Sequence, residues 1–312
     1  MIEEFRIGHY TDMENITGCT VILCPEDNVA SCYIAGSAPG SREIALLAPE
    51  RKIESIHAVL LTGGSAFGLN AAAGVMSYLE EKNTGYQTSF GKVPLVPAAV
   101  IYDLNIGNPQ VRPIAEDAYK ACQSASQDKV EQGCIGAGTG ATVGKWSGIE
   151  HGMKGGLGIS VIEAGDSKIA ALSIVNSVGD IIDSDGETVA GALNDQKEFI
   201  AANGQMIRWH NLAPGMGENT VLSVLMTNAR LSKMQIYLMT KRAQNGLARV
   251  INPVSTSYDG DILFGISSNK VASDPEYVYE AATEVIRLSV ISAVKHAISS
   301  GGFPAVQELG NK

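Results

Sequence analysis

The sequence predicts a mixed, layered α/β fold in which antiparallel strand pairs stand among helices. Three observations lead there. Short apolar runs end abruptly at turn residues, as buried strands do. Longer stretches repeat their apolar residues at helical spacing. Two of the apolar runs, in "GISVIEAGDSKIAALSIVNSVGDII", are joined at Gly165-Asp166 as a hairpin, which a purely parallel sheet would not contain. The 312 residues suffice for one large domain or two ordinary ones, and 45% hydrophobic content supports a sizeable core. No internal repeat and no low-complexity linker interrupts the chain.

Taken in order, "CTVILC" and "HAVLLTGG" read as strands. "SAFGLNAAAGVMSYLEEK" reads as a helix with Ser65 as its cap and Phe67, Val75, Met76 and Leu79 on its apolar face. After the hairpin comes the loop "RWHNLAPGMGEN", 208–219, the best candidate for a domain linker or for a loop built to be cut. "LSKMQIYLMTKRAQNG" is a helix opened by a Ser232/Gln235 capping box, with Gly246 suited to its stop. "DGDILFGISS" is a further strand. "DPEYVYEAATEVIRLSVISAVKHAISSGG" is the clearest helix, with Asp274 as cap, Pro275 at the first helical position and glycines beyond its end.

The net charge is −10 and no run of Lys or Arg occurs, which argues against nucleic acid and anionic membrane as partners. The opening "MIEEFRIGHYTD" lacks the basic and apolar regions of a signal peptide, and no apolar run is long enough to span a bilayer. Cys19, Cys24, Cys32, Cys122 and Cys134 form no C-x-x-C pair, so reduced, mostly buried thiols in a cytoplasmic protein are expected. No Cys/His spacing supports a metal site.

Two glycine motifs resemble known patterns and fail them in part. In "GAGTGATVGKW", a phosphate-binding P-loop would need Gly at 139 and Ser or Thr at 146, where Thr139 and Trp146 stand. Gly136, Gly138 and Ala141 do fit a dinucleotide fingerprint, which leaves a dinucleotide-dependent oxidoreductase as a remote alternative. Otherwise such a loop brings backbone close to a ligand and presents one charge, Lys145. In "GGSAFG", a nucleophile elbow needs Gly where Phe67 stands, so Ser65 is better read as a cap.

The candidate chemistry lies at "GMGENTVLSVLMTNA", 215–229. Gly215 and Gly217 loosen a loop that runs into an apolar strand at the Asn219-Thr220 bond. Thr220 is a β-branched strand former, but its hydroxyl also stands beside a carbonyl it can attack. Downstream, in "SYDGDILFG", Asp259 and Asp261 are two apart in what reads as a strand, so both point to one face, and Gly260 leaves the other open. Ile262, Leu263 and Phe264 follow, so the strand is buried, and buried acids need a partner such as an N-terminal amine or Lys145. If Thr220 cuts the bond before it, one residue gains a nucleophilic hydroxyl and an α-amine whose reference pKa of about 8 suits a general base.

These features, with "GHYTD", "TGCTVIL", "GSAPGSRE", "LTGGSAFGLNAAAGVMSYLEE", "VPLVPAAVIYDL", "GAGTGATVGKW", "VNSVGD", "GENTVLSVLMTNA" and "DGDI", resemble the self-processing N-terminal-nucleophile hydrolases of the DmpA-type aminopeptidase and nylon-oligomer endoamidase kind. The resemblance covers nearly the whole chain. It implies a four-layer αββα sandwich, one domain over 1–312 autocleaved into 1–219 and 220–312, and assembly into tetramers or larger homo-oligomers. By motif, Thr220 would be the nucleophile and Asn219-Thr220 the cut bond. Lys145 and Asn176 would orient the nucleophile and hold the oxyanion. Asp259 and Asp261 would position amine and hydroxyl, and Tyr102 would line the substrate pocket. The substrate would be a small amide or oligoamide, with no cofactor and no metal. The aminopeptidase branch typically has Ser as nucleophile, and Ser with an acid downstream. Thr with two Asp leans instead toward endo-type hydrolysis of 6-aminohexanoate oligomers, with α- or β-peptidyl aminopeptidase activity as the alternative.

Overall fold

The computed structural model describes residues 2, 4–128, 130–200 and 219–309. Most of the expected loop at 208–219, including Gly215 and Gly217, therefore lies outside the described residues.

Two five-stranded mixed sheets dominate. The strands of the first are β1 (Arg6–Asp12), β2 (Thr17–Leu23), β4 (Ser41–Arg42), β5 (Ala58–Thr62) and β6 (Ala98–Val100), in the order β1-β2-β5-β6-β4. The second contains β3 (Val29–Ile34), β7 (Gly156–Ala164), β8 (Ser167–Asn176), β9 (Thr220–Ala229) and β10 (Ile262–Val271), in the order β7-β8-β9-β10-β3. The hairpin at Gly165-Asp166 is β7–β8, paired from Gly156↔Val175 to Ala164↔Ser167. β9 runs antiparallel to β8 and parallel to β10.

Alternation along the strands builds the layers. In β5, Val59 and Leu61 enter the core between the sheets, while Ala58 and Leu60 pack beneath α1 (Ala72–Glu81) and α2 (Ala115–Gln123). In β9, Leu222, Val224 and Met226 face the same inter-sheet core, while Val221 and Leu225 pack against α3 (Lys233–Ala248) and α4 (Pro275–Lys295). Both faces of each sheet are thus covered, which is why the central strands read as continuous apolar runs. The result is a four-layer αββα sandwich. Truncating one wholly buried side chain such as Leu222 or Phe264 to Ala would cost about 2–5 kcal/mol.

The helix ends follow the sequence in part. Ser232 accepts the N–H of Gln235 and Gln235 reaches back, and Asp274 accepts the N–H of Glu276 ahead of Pro275. Three expectations are corrected. Ser65 makes no cap; it has a left-handed φ of 52° and opens a 3₁₀ stretch, Ser65–Ala71, before α1 starts at Ala72. Phe67 accordingly leaves the apolar face and is exposed, with the Arg112 guanidinium over its ring, whereas Val75 and Leu79 are buried. Gly246 does not stop its helix but lies inside α3, where α4 crosses so closely that a Cβ would sit 2.2 Å from the Thr283 carbonyl oxygen.

The dinucleotide fingerprint is also overturned. Gly136–Gly138 form one 3₁₀ turn, followed by the two-residue strand Thr142–Val143 instead of a helix, so the strand-turn-helix frame is missing. All five cysteines are free, and burial raises the thiol pKa of Cys19, Cys24, Cys32 and Cys122, leaving them without thiolate character. Among the described residues no helix is long and apolar enough to cross a membrane.

The α3–α4 crossing generates one expectation. Gly246→Ala gains about 1 kcal/mol of helix propensity but forces a methyl into backbone, a cost of about 1–3 kcal/mol or more. We expect a net loss in the urea midpoint; an unchanged or higher midpoint would contradict the close crossing.

Candidate active site

Three strand ends meet at one place. β8 ends at Asn176, which is paired directly opposite Thr220, the first residue of β9. β10 starts alongside, and the residues just before it approach the same junction through an isolated bridge between Asn219 and Asp259. Thr220 shares the parity of Leu222, and Asn176 that of Ile174, so both side chains point to the inter-sheet side. Asn176 is wholly buried and Thr220 is 6% exposed.

The Asn219 carbonyl is held from two directions. Thr220 Oγ1 donates to its oxygen at 2.6 Å, and the Gly260 N–H donates to the same oxygen at 2.8 Å. Gly260 has to be glycine, because a Cβ there would lie 2.9 Å from Thr220 Oγ1 and 2.7 Å from the Ala38 carbonyl oxygen.

The two acids flank this junction. They precede β10 instead of lying within it, so the expectation of a shared strand face gives way to separate partners. Asp261 Oδ1 accepts the Val221 N–H at 2.7 Å and Oδ2 accepts the Ser255 hydroxyl at 2.9 Å. Asp259 Oδ2 accepts the Thr256 N–H at 2.7 Å, while its buried Oδ1 has no hydrogen-bond partner among the described residues. Burial holds both carboxyls above the usual range. The charge of Asp259 raises Asp261 further, and the hydrogen bonds at Thr256 and the charge of Lys145 pull Asp259 back down.

Lys145 comes from a different wall. The Gly144 and Trp146 N–H groups bond to the Gly179 and Val178 carbonyls, which ties "GKW" to the turn after β8. Its Nζ then donates to Asn176 Oδ1 at 3.0 Å and to the Asn176 carbonyl at 3.3 Å. Burial pushes the ammonium down to about 7, against the pull of Asp259 and with the repulsion of Lys154. Asn176 Nδ2 donates to the Tyr102 carbonyl at 3.0 Å, so Tyr102 joins the site through its backbone. Thr220, Asn176, Lys145, Asp259, Asp261 and Tyr102 are thus gathered at one end of the sandwich. Sequence reasoning missed Ser255, Thr142 and the Gly260 N–H. Their only signal is nearness in sequence to residues already chosen.

On this fold the site offers a buried hydroxyl, two carboxyls and a lysine beside one peptide carbonyl. The chain belongs to Peptidase family S58, whose match extends over residues 2–310. It is 36% identical to an uncharacterized aminopeptidase of Mycobacterium leprae, over 97% of this chain and 91% of that one. It is 31% identical to a 6-aminohexanoate-oligomer endohydrolase of Kocuria sp., over 85% of this chain and 72% of that one. In structure it resembles the L-aminopeptidase D-Ala-esterase/amidase of Ochrobactrum anthropi, an Ntn-hydrolase fold, with a TM-score of 0.74 at 21% identity, covering 97% of this chain and 87% of that one.

The state of Lys145 is open to measurement. A lysine whose folded pKa lies below its unfolded value destabilises the fold fully below the folded pKa, and this cost vanishes as pH rises toward the unfolded value. With about 7 folded against 10.5 unfolded, that window is the alkaline side of neutrality. In a Thr220→Ala background, we expect Lys145→Met to have its greatest advantage in thermal midpoint at pH 7 and below, shrinking toward pH 10. A difference that is flat with pH would mean that Lys145 is solvated.

Proposed function

We propose that this chain is a self-cleaving amide hydrolase with Thr220 as its nucleophile. The observation that supports this best is the buried Thr220 hydroxyl 2.6 Å from the Asn219 carbonyl oxygen, which the Gly260 N–H polarises from a second direction. Thr220 Oγ1 attacks the Asn219 carbonyl carbon and loses its proton. The C–N bond breaks and the leaving amine takes up a proton, which gives an ester between Asn219 and Thr220. Water hydrolyses that ester to the Asn219 carboxylate, the Thr220 hydroxyl and a free Thr220 α-amine. The Gly260 N–H stabilises the oxyanion of this first reaction. A donor of that kind contributes about 3–4 kcal/mol to a transition state.

In the mature protein the same hydroxyl attacks the substrate amide, with the new α-amine as general base. Asp261 anchors the backbone just beyond the nucleophile. Asp259, whose Oδ1 has no hydrogen-bond partner among the described residues, stands ready to receive the ammonium. Asn176 has two Nδ2–H donors; one holds Tyr102 and the second serves the substrate oxyanion, with Lys145 fixing the opposite end of the amide. Water releases the acyl group. No step needs a cofactor. Tyr102 lines the substrate pocket, and the chains 1–219 and 220–312 remain together in a homo-oligomer.

The substrate reading is endo-type hydrolysis of linear 6-aminohexanoate oligomers. The Thr220/Asp259/Asp261 set and the 31% identity to the Kocuria endohydrolase support it. Aminopeptidase action is a second reading, favoured by the higher identity, 36%, to the mycobacterial relative of that name.

Intact mass of the purified protein should show fragments 1–219 and 220–312, and Thr220→Ala should stay whole and inactive. An active protein that remains one chain would end this reading. On substrates, we expect faster turnover of 6-aminohexanoate oligomers than of an alanine anilide; the reverse order selects the aminopeptidase reading.

A further inference from the structure

Asn176 is stretched between two walls. On one side its Oδ1 accepts the Thr142 N–H at 3.0 Å and the Thr142 hydroxyl at 3.3 Å, besides Lys145. On the other its Nδ2 is held by the Tyr102 carbonyl.

The Thr142 wall is clamped by Lys154. This lysine is wholly buried and sits opposite Thr142 in a two-residue antiparallel ladder. Its Nζ donates to the Thr139 and Ala141 carbonyls, each at 2.8 Å. The Tyr102 wall continues directly into Asp103, which is 3% exposed. Asp103 Oδ2 accepts the Thr17 hydroxyl at 2.7 Å and Oδ1 accepts the Gly64 N–H at 2.6 Å. Asp103 also touches the first wall, since a Cβ on Gly140 would lie 2.5 Å from the Asp103 Cβ.

Two buried ionisable groups are a costly way to hold backbone, because each ion taken out of water loses several kcal/mol before its partners are counted. Burial pushes Lys154 down to about 8, with Cys134 and Asp103 drawing it back up. Apolar side chains would fill the same space. What they would not do is fix the carbonyls on either side of Gly140 and so aim the Thr142 N–H.

We infer that Lys154 and Asp103 are positioning residues of the active site, which act through the 139–142 segment and through Tyr102 to fix the Asn176 amide opposite Thr220. The inference rests on the proposed role of Asn176 as oxyanion donor. A displacement of about 1 Å in such a group lowers turnover about a hundredfold.

The test is a cycle of four full-length proteins: wild type, Lys154→Met, Asn176→Ala and the double variant, each assayed on the faster of the two substrates above. Lys154→Met should lower kcat about tenfold or more with KM within about twofold, because only the transition state loses a contact. In the Asn176→Ala background the same change should lower kcat by less than about twofold, because the amide it positions is gone. Equal losses in both backgrounds, or an unchanged kcat in the single variant, would overturn the inference alone. Asn176→Ala with wild-type kcat would overturn the site assignment as well. If Lys154→Met is insoluble, Lys154→Arg, which keeps a cation and donors at altered reach, enters the same cycle; failure of both to fold would assign Lys154 to the fold and reject the positioning role.

Discussion

The peptide bond between Asn219 and Thr220 is the constraint on which the arrangement depends. It lies where β9 starts, so its nitrogen belongs to a central strand while its carbonyl is gripped by the approach to β10. Strand parity sends the Thr220 side chain toward the other sheet, and the antiparallel register brings Asn176 opposite it. A slip of one residue in β9 would turn Thr220 toward α3 and α4 and Val221 into the inter-sheet core. The apolar packing that holds the register therefore also aims the hydroxyl.

Charge is distributed in keeping with this. Lys145, Lys154, Asp103, Asp259 and Asp261 are all buried, and none of them has an ion-pair partner within 4 Å among the described residues. They are bonded mainly to backbone carbonyls, N–H groups and neutral side chains, and act on one another at longer range. This costs stability, because burial opposes the charged form of each group. In the mechanism proposed above, these oriented dipoles need not rearrange when charge develops on a carbonyl oxygen.

Much of this was legible in the sequence because it is local. The Ser232/Gln235 capping box, the Asp-Pro helix start, the hairpin at Gly165-Asp166 and two-sided apolar strands are all written within a few residues. Gly246 was misread because its meaning comes from Thr283 on another helix. Ser65 was misread because a left-handed backbone after Gly64 is not encoded in the Ser type. Among site residues, Thr220 and the two acids announced themselves by context. The separate partners of Asp259 and Asp261 did not, since these depend on loops that fold against them. Lys154 and Asp103 gave no local sign of their burial, since the groups they bond lie elsewhere in the chain.

The central claim is that one hydroxyl performs both the cut and the turnover. The most direct measurement is to quench the enzyme during hydrolysis of a slow ester or amide and weigh its fragments. The account predicts that the 220–312 fragment gains the mass of the acyl group, and that fragmentation places it on Thr220. An adduct on another residue, or steady turnover with no acylated fragment at any time, would contradict it.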